Sequence, residues 1–420
     1  MAACGKSGIP PRVAAARCCP SSAPTNGAGL ATGPAAQQLA WFGNMIDHCL
    51  DAVASAKADG RGVVGILCEY TPRELILAAG ALPVCLCGGS ADTIPSAEED
   101  LPANLCPLIK STYGYHVQRS NPLLEQADLV VAETTCDGKK KMYELMARTR
   151  PMLVLELPQN SEGPGALEAW RGQMLRLRDQ LQERLGVRIT DPSLREAIAT
   201  MNRERSLRRR LAGLMARPHP PLTGLQLLEF KSSISGQEAD LAQYERAATA
   251  LECPSAPPAA SDEAVRVLLT GVPLVHGAQR VLQIIESAGA VVVCMENCTG
   301  VKPLLEDVDE RAADPLAALA EKYLRLPCSV MTPNRRRLEQ LAQLARVYRP
   351  QCVVELVWQA CLTYDVESAL VKAFVERELG LPYLRIQTDY SPADSARIAV
   401  RVEALLEMVR SRSAGGVAAR

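Results

Sequence analysis

Apolar residues along this chain fall into short unbroken runs, and the stretches between them carry one apolar face. Residues 63–67, 82–86, 128–132 and 152–155 are such runs. Residues 72–79, between the first two, have helical spacing with Pro72 in the first turn. Runs without polar alternation are strands covered on both faces. Helices between such strands give a parallel α/β sheet. Residues 166 to about 250 change character: 167–185 and 194–215 show helical spacing and many Arg, Gln and Glu. Pro254, Pro257 and Pro258 then mark a linker.

A second strand–helix series follows. Residues 265–270, 291–294, 353–357 and 383–386 read as strands, with helices such as 279–288 and 335–347 between them. The two series resemble each other. Leu75-Ile76-Leu77-Ala78-Ala79-Gly80-Ala81 leads into Val84-Cys85, as Ile284-Ile285-Glu286-Ser287-Ala288-Gly289-Ala290 leads into Val293-Cys294. Residues 129–133 before Cys136 match 352–356 before Cys361 in the same order. The expected organisation is a disordered low-complexity tail (1–38), an N-terminal α/β domain (39–165) and a helical connector with linker (166–260). A C-terminal α/β domain related by duplication (261–412) and a short disordered tail (413–420) complete it.

Composition narrows the function. The 420 residues are 48% apolar and 22% charged, an ordinary globular balance with room for two or three domains. Lys+Arg 46 against Asp+Glu 47 leaves a net charge of -1, which excludes a broad basic surface for nucleic acid. No run approaches the roughly 20 apolar residues of a membrane helix. The Ala/Gly/Pro/Ser-rich start has no apolar secretory core; Lys6, Arg12 and Arg17 with no acid before Asp47 would suit a transit peptide, but a disordered tail of a cytoplasmic protein is the favoured expectation. Gly5-Lys6-Ser7 lacks the upstream residues of a phosphate-binding loop, and no Gly-x-Gly-x-x-Gly follows a strand.

The 15 cysteines stand out against 4 His, 3 Phe and 3 Trp. A high, odd count in a long chain is not a disulfide framework; it points to reduced thiols, which are soft metal ligands. Cys4, Cys18 and Cys19 lie in the tail, Cys49 in the opening helix and Cys253 in the linker. Cys85, Cys87, Cys294 and Cys352 sit in or beside apolar strands, where cysteine is usually a small buried hydrophobe. Six remain. Cys68, Cys136, Cys298 and Cys361 follow strands, and Cys106 and Cys328 lie in loops beside Pro107 and Pro327. Ligands of open parallel sheets bind beyond the carboxyl ends of the strands. There is no Cys-x-x-Cys pair, so zinc ribbons, thioredoxin-type sites and ferredoxin runs are excluded. The residues by themselves leave cluster ligation open against structural and scattered reactive thiols.

Longer motifs add a family. Cys68-Glu69-Tyr70-Thr71-Pro72-Arg73-Glu74-Leu75 resembles the opening motif of the 2-hydroxyacyl-CoA dehydratase D-component superfamily. Leu105-Cys106-Pro107-Leu108-Ile109-Lys110-Ser111-Thr112-Tyr113-Gly114 is similar to its double-cubane-cluster reductase branch. So is Glu133-Thr134-Thr135-Cys136-Asp137-Gly138-Lys139-Lys140-Lys141. Glu296-Asn297-Cys298-Thr299-Gly300, Pro327-Cys328-Ser329, Cys361 and Thr388-Asp389-Tyr390-Ser391 fit the C-terminal half. The resemblance covers about residues 40–410. It implies two flavodoxin-like or Rossmann-like parallel-sheet domains with an iron–sulfur cluster in the cleft. In dehydratases of the family three cysteines hold a [4Fe–4S] cluster, and Cys106, Cys136 and Cys361 match them. In the double-cubane branch an [8Fe–9S] cluster needs more, for which Cys68, Cys298 and Cys328 are on offer. The resemblance also implies an ATP-hydrolysing [4Fe–4S] activator protein as electron donor, and a homodimer.

Around these motifs Glu69 and Tyr70 are candidates to face the cleft. Lys139, Lys140 and Lys141 read as a solvated helix face, as do Arg208, Arg209 and Arg210. His116 and His276 have no visible partner, and no catalytic side chain is named. The expected function is reduction of a small molecule through the double cubane. The alternatives are a subunit of an (R)-2-hydroxyacyl-CoA dehydratase acting on an acyl-CoA, and an electron carrier without a substrate.

Overall fold

The computed structural model of the protein describes residues 33–253 and 256–417. Most of the expected N-terminal tail, and the last residues of the C-terminal one, lie outside the described residues. Within the described residues eight strands form two sheets. β1 (Val63–Ile66), β2 (Leu82–Cys85), β3 (Leu129–Glu133) and β4 (Met152–Leu155) form the first, ordered β2-β1-β3-β4. β5 (Val265–Gly271), β6 (Ala290–Glu296), β7 (Cys352–Trp358) and β8 (Tyr383–Thr388) form the second, ordered β6-β5-β7-β8. Every pairing within them is parallel. The two sheets therefore have one topology, as the pattern of unbroken apolar runs predicts.

The repeated segment has a structural cause. In each half a helix, Arg73–Ala78 or Arg280–Ser287, ends at a glycine with positive φ before the second strand of its sheet. These are Gly80 (φ 72) and Gly289 (φ 86). The left-handed residue closes the helix without a Cβ penalty and turns the chain into the sheet.

The strands of the second sheet run further than their apolar cores. β6 extends to Glu296, which is buried, and β7 carries buried Glu355 at its centre. Charge marks the end of an apolar run in sequence, but here cations from elsewhere in the chain meet it. Arg337, wholly buried, lies 3.0 Å from Glu355 and 3.4 Å from Glu296 and also pairs with Glu367. Lys302 lies 3.0 Å from Glu296.

The connector is built into the fold rather than tethering it. Helix Ala166–Leu185 buries Trp170, Met174, Leu177 and Leu181, spaced by four, three and four residues, in the core shared with β1 and β3. Helix Asp191–Leu214 continues to Leu207 and Leu211, which pack in the core of the second sheet. The folded region also starts before residue 39: helix Ala36–Gly43 buries Leu39 and Phe42, and Phe42 stacks on Tyr244 at 4.5 Å. At the other end helix Ser395–Val417 runs past 412. Among the described residues no helix is long and apolar enough to cross a membrane.

One buried contact joins all three parts. Glu74 of the first half pairs with Arg205 of the connector and accepts from the Tyr323 hydroxyl of the second half at 2.8 Å. Burial alone would raise the Glu74 pKa, but Arg205 and Lys322 together more than offset it and hold the carboxyl below its ordinary value. Arg205→Met leaves Glu74 without that partner in the interior and is expected to cost about 3–5 kcal/mol. Chemical unfolding measures this. An unchanged midpoint would show that the contact does not hold the parts together, and adding Glu74→Gln should recover part of the loss.

Candidate metal centre

The sequence places its six candidate cysteines near strand ends, and the fold brings those ends together. Cys68 lies two residues past β1 and Cys298 two past β6. Cys136 and Cys361 lie three past β3 and β7, which are equivalent strands in the two sheets. Cys136, Cys106 and Cys361 are also the N-cap residues of helices Asp137–Met146, Pro107–Gln118 and Leu362–Arg377. Cys328 sits in the turn after helix Pro315–Leu324. A helix N-terminus presents unpaired amides and positive potential, which favour a thiolate. The amides of Leu108 and Ile109 act on Cys106 in this way, that of Lys139 on Cys136 and that of Tyr364 on Cys361.

The thiols form two trios. Cys106 and Cys361 are neighbours, and Cys136 interacts with both. Cys68, Cys298 and Cys328 form the second group, each interacting with the other two. Cys136 also senses Cys328, so the groups adjoin. Each trio draws cysteines from both halves of the chain. Burial pushes the Cys68 thiol well up and Cys298 to about 12. Burial also raises Cys136. The adjacent Cys106 thiol and burial raise Cys361, whereas Cys361 lowers Cys106. Thiols held this way become thiolates only where a positive centre compensates them.

The surroundings fit a sulfide-rich anionic group. The buried polar atoms Thr135 Oγ1, Tyr143 OH, Asn297 Nδ2, Trp358 Nε1 and Tyr390 OH have no hydrogen-bond partner among the described residues. All five can donate, and all but Trp358 adjoin or interact with a candidate cysteine. Thr135 and Asn297 immediately precede Cys136 and Cys298. Tyr143 interacts with Cys68 and Cys87, and Tyr390 with Cys106, Cys87 and Cys361. Trp358 packs on Tyr390 at 4.7 Å between ring centres. Orphaned buried donors are rare and costly, and cluster sulfur is an acceptor of this kind. Two cations complete the shell. Lys139 Nζ donates to the Leu67 carbonyl at 3.1 Å, and Lys302 Nζ to the Tyr364 hydroxyl at 3.2 Å. Burial disfavours the Lys139 ammonium, but Tyr143 and the thiols of Cys68, Cys87 and Cys136 keep its pKa well above normal. Among the described residues no three His, Cys, Asp or Glu side chains converge as ligands of a single ion. Cubane ligands sit one per iron around a cluster, so they stand further apart than the ligands of one ion.

A family model for the 2-hydroxyglutaryl-CoA dehydratase D-component matches residues 68–409, starting at the first cysteine of the second trio. The chain belongs to this family. It is thus an enzyme subunit of dehydratase-family type. It is 40% identical over 360 residues to the YjiM protein of Escherichia coli (strain K12), which bears the name of a dehydratase subunit, across 85% of this chain and 94% of that one. It is 22% identical over 355 residues to the (R)-phenyllactyl-CoA dehydratase beta subunit of Clostridium sporogenes, across 83% and 92%. A shorter match, 27% over 162 residues, links it to one subunit of the benzoyl-CoA reductase of Thauera aromatica, across 37% and 41%.

The structure revises several expectations around the centre. Lys140 and Lys141 are exposed and pair with Asp137 and Glu144, but Lys139 turns inward to the thiols. Glu69 lines a cleft and pairs with Arg73 at 2.9 Å, whereas Tyr70 is core, donating to the Leu326 carbonyl at 2.9 Å. Arg208, Arg209 and Arg210, expected on a solvated helix face, are partly buried and each paired with an acid. His116 accepts from Arg150 at 2.8 Å, away from the thiols. Cys294 and Cys352 are buried strand residues as expected. Cys87 is not merely one of them. It stands two residues past β2, the place in the first half that Cys298 holds in the second, and it interacts with Cys68 and Lys139. The Cys85-x-Cys87 spacing at a strand end was its sequence signal; Lys302, Arg337 and Trp358 had none.

Gly300 makes the tight turn that carries Cys298. A Cβ there would lie 2.0 Å from the Met295 carbonyl oxygen. Gly300→Ala is expected to lower stability by about 2 kcal/mol or more, read as a drop in melting temperature. Gly172→Ala, in open space within helix Ala166–Leu185, should be neutral or gain about 0.5–1 kcal/mol. Equal responses at the two sites would contradict the packing around Cys298.

Proposed function

We propose that the two trios hold a double-cubane [8Fe–9S] cluster, and that the protein passes electrons through it to a small molecule. The observation that carries this reading is the arrangement of six cysteines as two adjoining sets of three, each completed only when both sheets are in place. Cys106, Cys136 and Cys361 would hold one cubane, and Cys68, Cys298 and Cys328 the other. Such a cluster supplies electrons at low potential when bound. The chain's own residues anchor it through thiolates, offset its charge with Lys139 and Lys302, and offer donors from Tyr143, Trp358 and Tyr390. The electron source is an ATP-hydrolysing [4Fe–4S] activator protein, consistent with the lack of a phosphate-loop motif in the sequence. The match to a benzoyl-CoA reductase subunit agrees with reductive chemistry in this family. A homodimer is the expected assembly, and the reduced thiols suit a cytoplasmic protein. The shared strand order and the matching helix–glycine–strand joints support origin by duplication.

A second reading follows from the relatives named as dehydratase subunits. In it Cys106, Cys136 and Cys361 hold a single [4Fe–4S] cluster, and the chain works with a non-identical subunit on an acyl-CoA.

Iron and acid-labile sulfide in anaerobically prepared protein separate the readings. About eight iron and nine sulfide per chain are expected for the double cubane. About four iron would favour the dehydratase reading, and none would overturn both. Cys68→Ser should lower iron by about half, while Cys253→Ser should not change it. Unchanged iron in Cys68→Ser would remove the second trio.

A further inference from the structure

Beside the thiols the first half, the connector and the second half line a cleft, part of it open to solvent. Cys298, Cys85 and Cys87 reach its wall, so it leads to the candidate metal centre. Its charge is one-sided. Arg73, Arg205, Arg208, Lys231 and Lys322 line it, against Glu69 and Glu204. Three of these cations are matched: Arg73 by Glu69, Arg208 by Glu204 and Arg205 by Glu74. Lys322 is drawn by Glu74 and Glu69, and burial lowers its pKa to about 7, which leaves Lys231.

Lys231 is the informative one. Among the described residues its Nζ has no carboxylate within ion-pair distance and no hydrogen-bond partner. Burial outweighs the more distant pull of Glu229 and lowers its pKa, so the ammonium sits there at a cost. No thiol acts on it, so its charge is not spent on the metal centre. Ser232, Ser233 and Ser235 of the same loop line the cleft with His276 from the second half, whose pKa is lowered by burial and by Lys231 itself. The Ser233 hydroxyl donates to Met45 Sδ at 3.6 Å, and Ser232 Oγ accepts from the Ile234 amide at 3.2 Å, so Ser232 and Ser235 are the hydroxyls that can turn to a ligand. An unpaired, partly desolvated cation among hydroxyl donors is a receptor for an oxyanion, because charge-assisted hydrogen bonds would repay its desolvation.

We infer that this cleft binds a small organic oxyanion, a carboxylate or a phosphate, held by Lys231 and the Ser232 and Ser235 hydroxyls beside the thiol centre. This names the substrate class for the proposed reductase and rests on that reading for what the ligand meets at Cys298. The binding elements belong to the chain itself and are present whether or not a cluster is assembled.

Calorimetric titration of the anaerobically prepared protein tests it, with inorganic phosphate, succinate and uncharged succinamide at fixed ionic strength. One saturable site for phosphate or for succinate is expected, with the stronger of the two identifying the anion class, and none for succinamide. Lys231→Met should weaken binding about tenfold or more at unchanged iron content, and Lys231→Arg should retain most of it. Equal binding of all three probes, no saturable anion binding, or full affinity in Lys231→Met would each overturn the inference. The ligand series on the unmodified protein decides the matter even where a variant misfolds. Anion binding by a protein that carries no iron would sink the cluster reading and leave this one standing; iron without anion binding would do the reverse.

Discussion

The structure depends on burying charge where three separate parts of the chain meet. Glu74, Arg205 and the Tyr323 hydroxyl come from the first half, the connector and the second half, and each is inaccessible to solvent or nearly so. None could be buried alone at acceptable cost. Their contact therefore makes the relative placement of the two sheets specific, which apolar packing by itself would not. Arg337 does the same within the second sheet, where one guanidinium meets Glu296, Glu355 and Glu367.

Everything proposed about the centre follows from that placement. Parallel strands put their carboxyl ends on one edge, and the turns beyond them carry Cys68, Cys136, Cys298 and Cys361. A trio within one half would be a local site. These trios are not local: Cys361 is beside Cys106, and Cys298 and Cys328 are beside Cys68. The orphaned donors at Tyr143, Trp358 and Tyr390 likewise come from both halves. The centre is a property of the interface, and the neighbouring cleft is another.

Much of this was legible in the chain. Parallel sheets, the eight strands, the helical connector and the six cysteines follow from unbroken apolar runs, turn residues and motifs. The strand end at Glu296 was harder, because a buried acid looks like a loop residue until Lys302 and Arg337 are seen to meet it. Lys139 was indistinguishable from Lys140 and Lys141 in sequence. Only its helical phase and the depth of the site separate them. Cys87 looked like a strand cysteine because its equivalence to Cys298 is a matter of sheet topology.

Local chemistry is written in short stretches of the chain: which segments are strands, where the glycine-closed helices stop, and which thiols stand at turns. Those depend on periodicity and backbone preference over a few residues. Long-range packing sets which thiols face one another, which lysine turns toward them and which stands in the cleft with no acid among the described residues to meet it. These depend on contacts between residues far apart in the chain, where the cost of burying each charge is settled by what the fold brings to meet it.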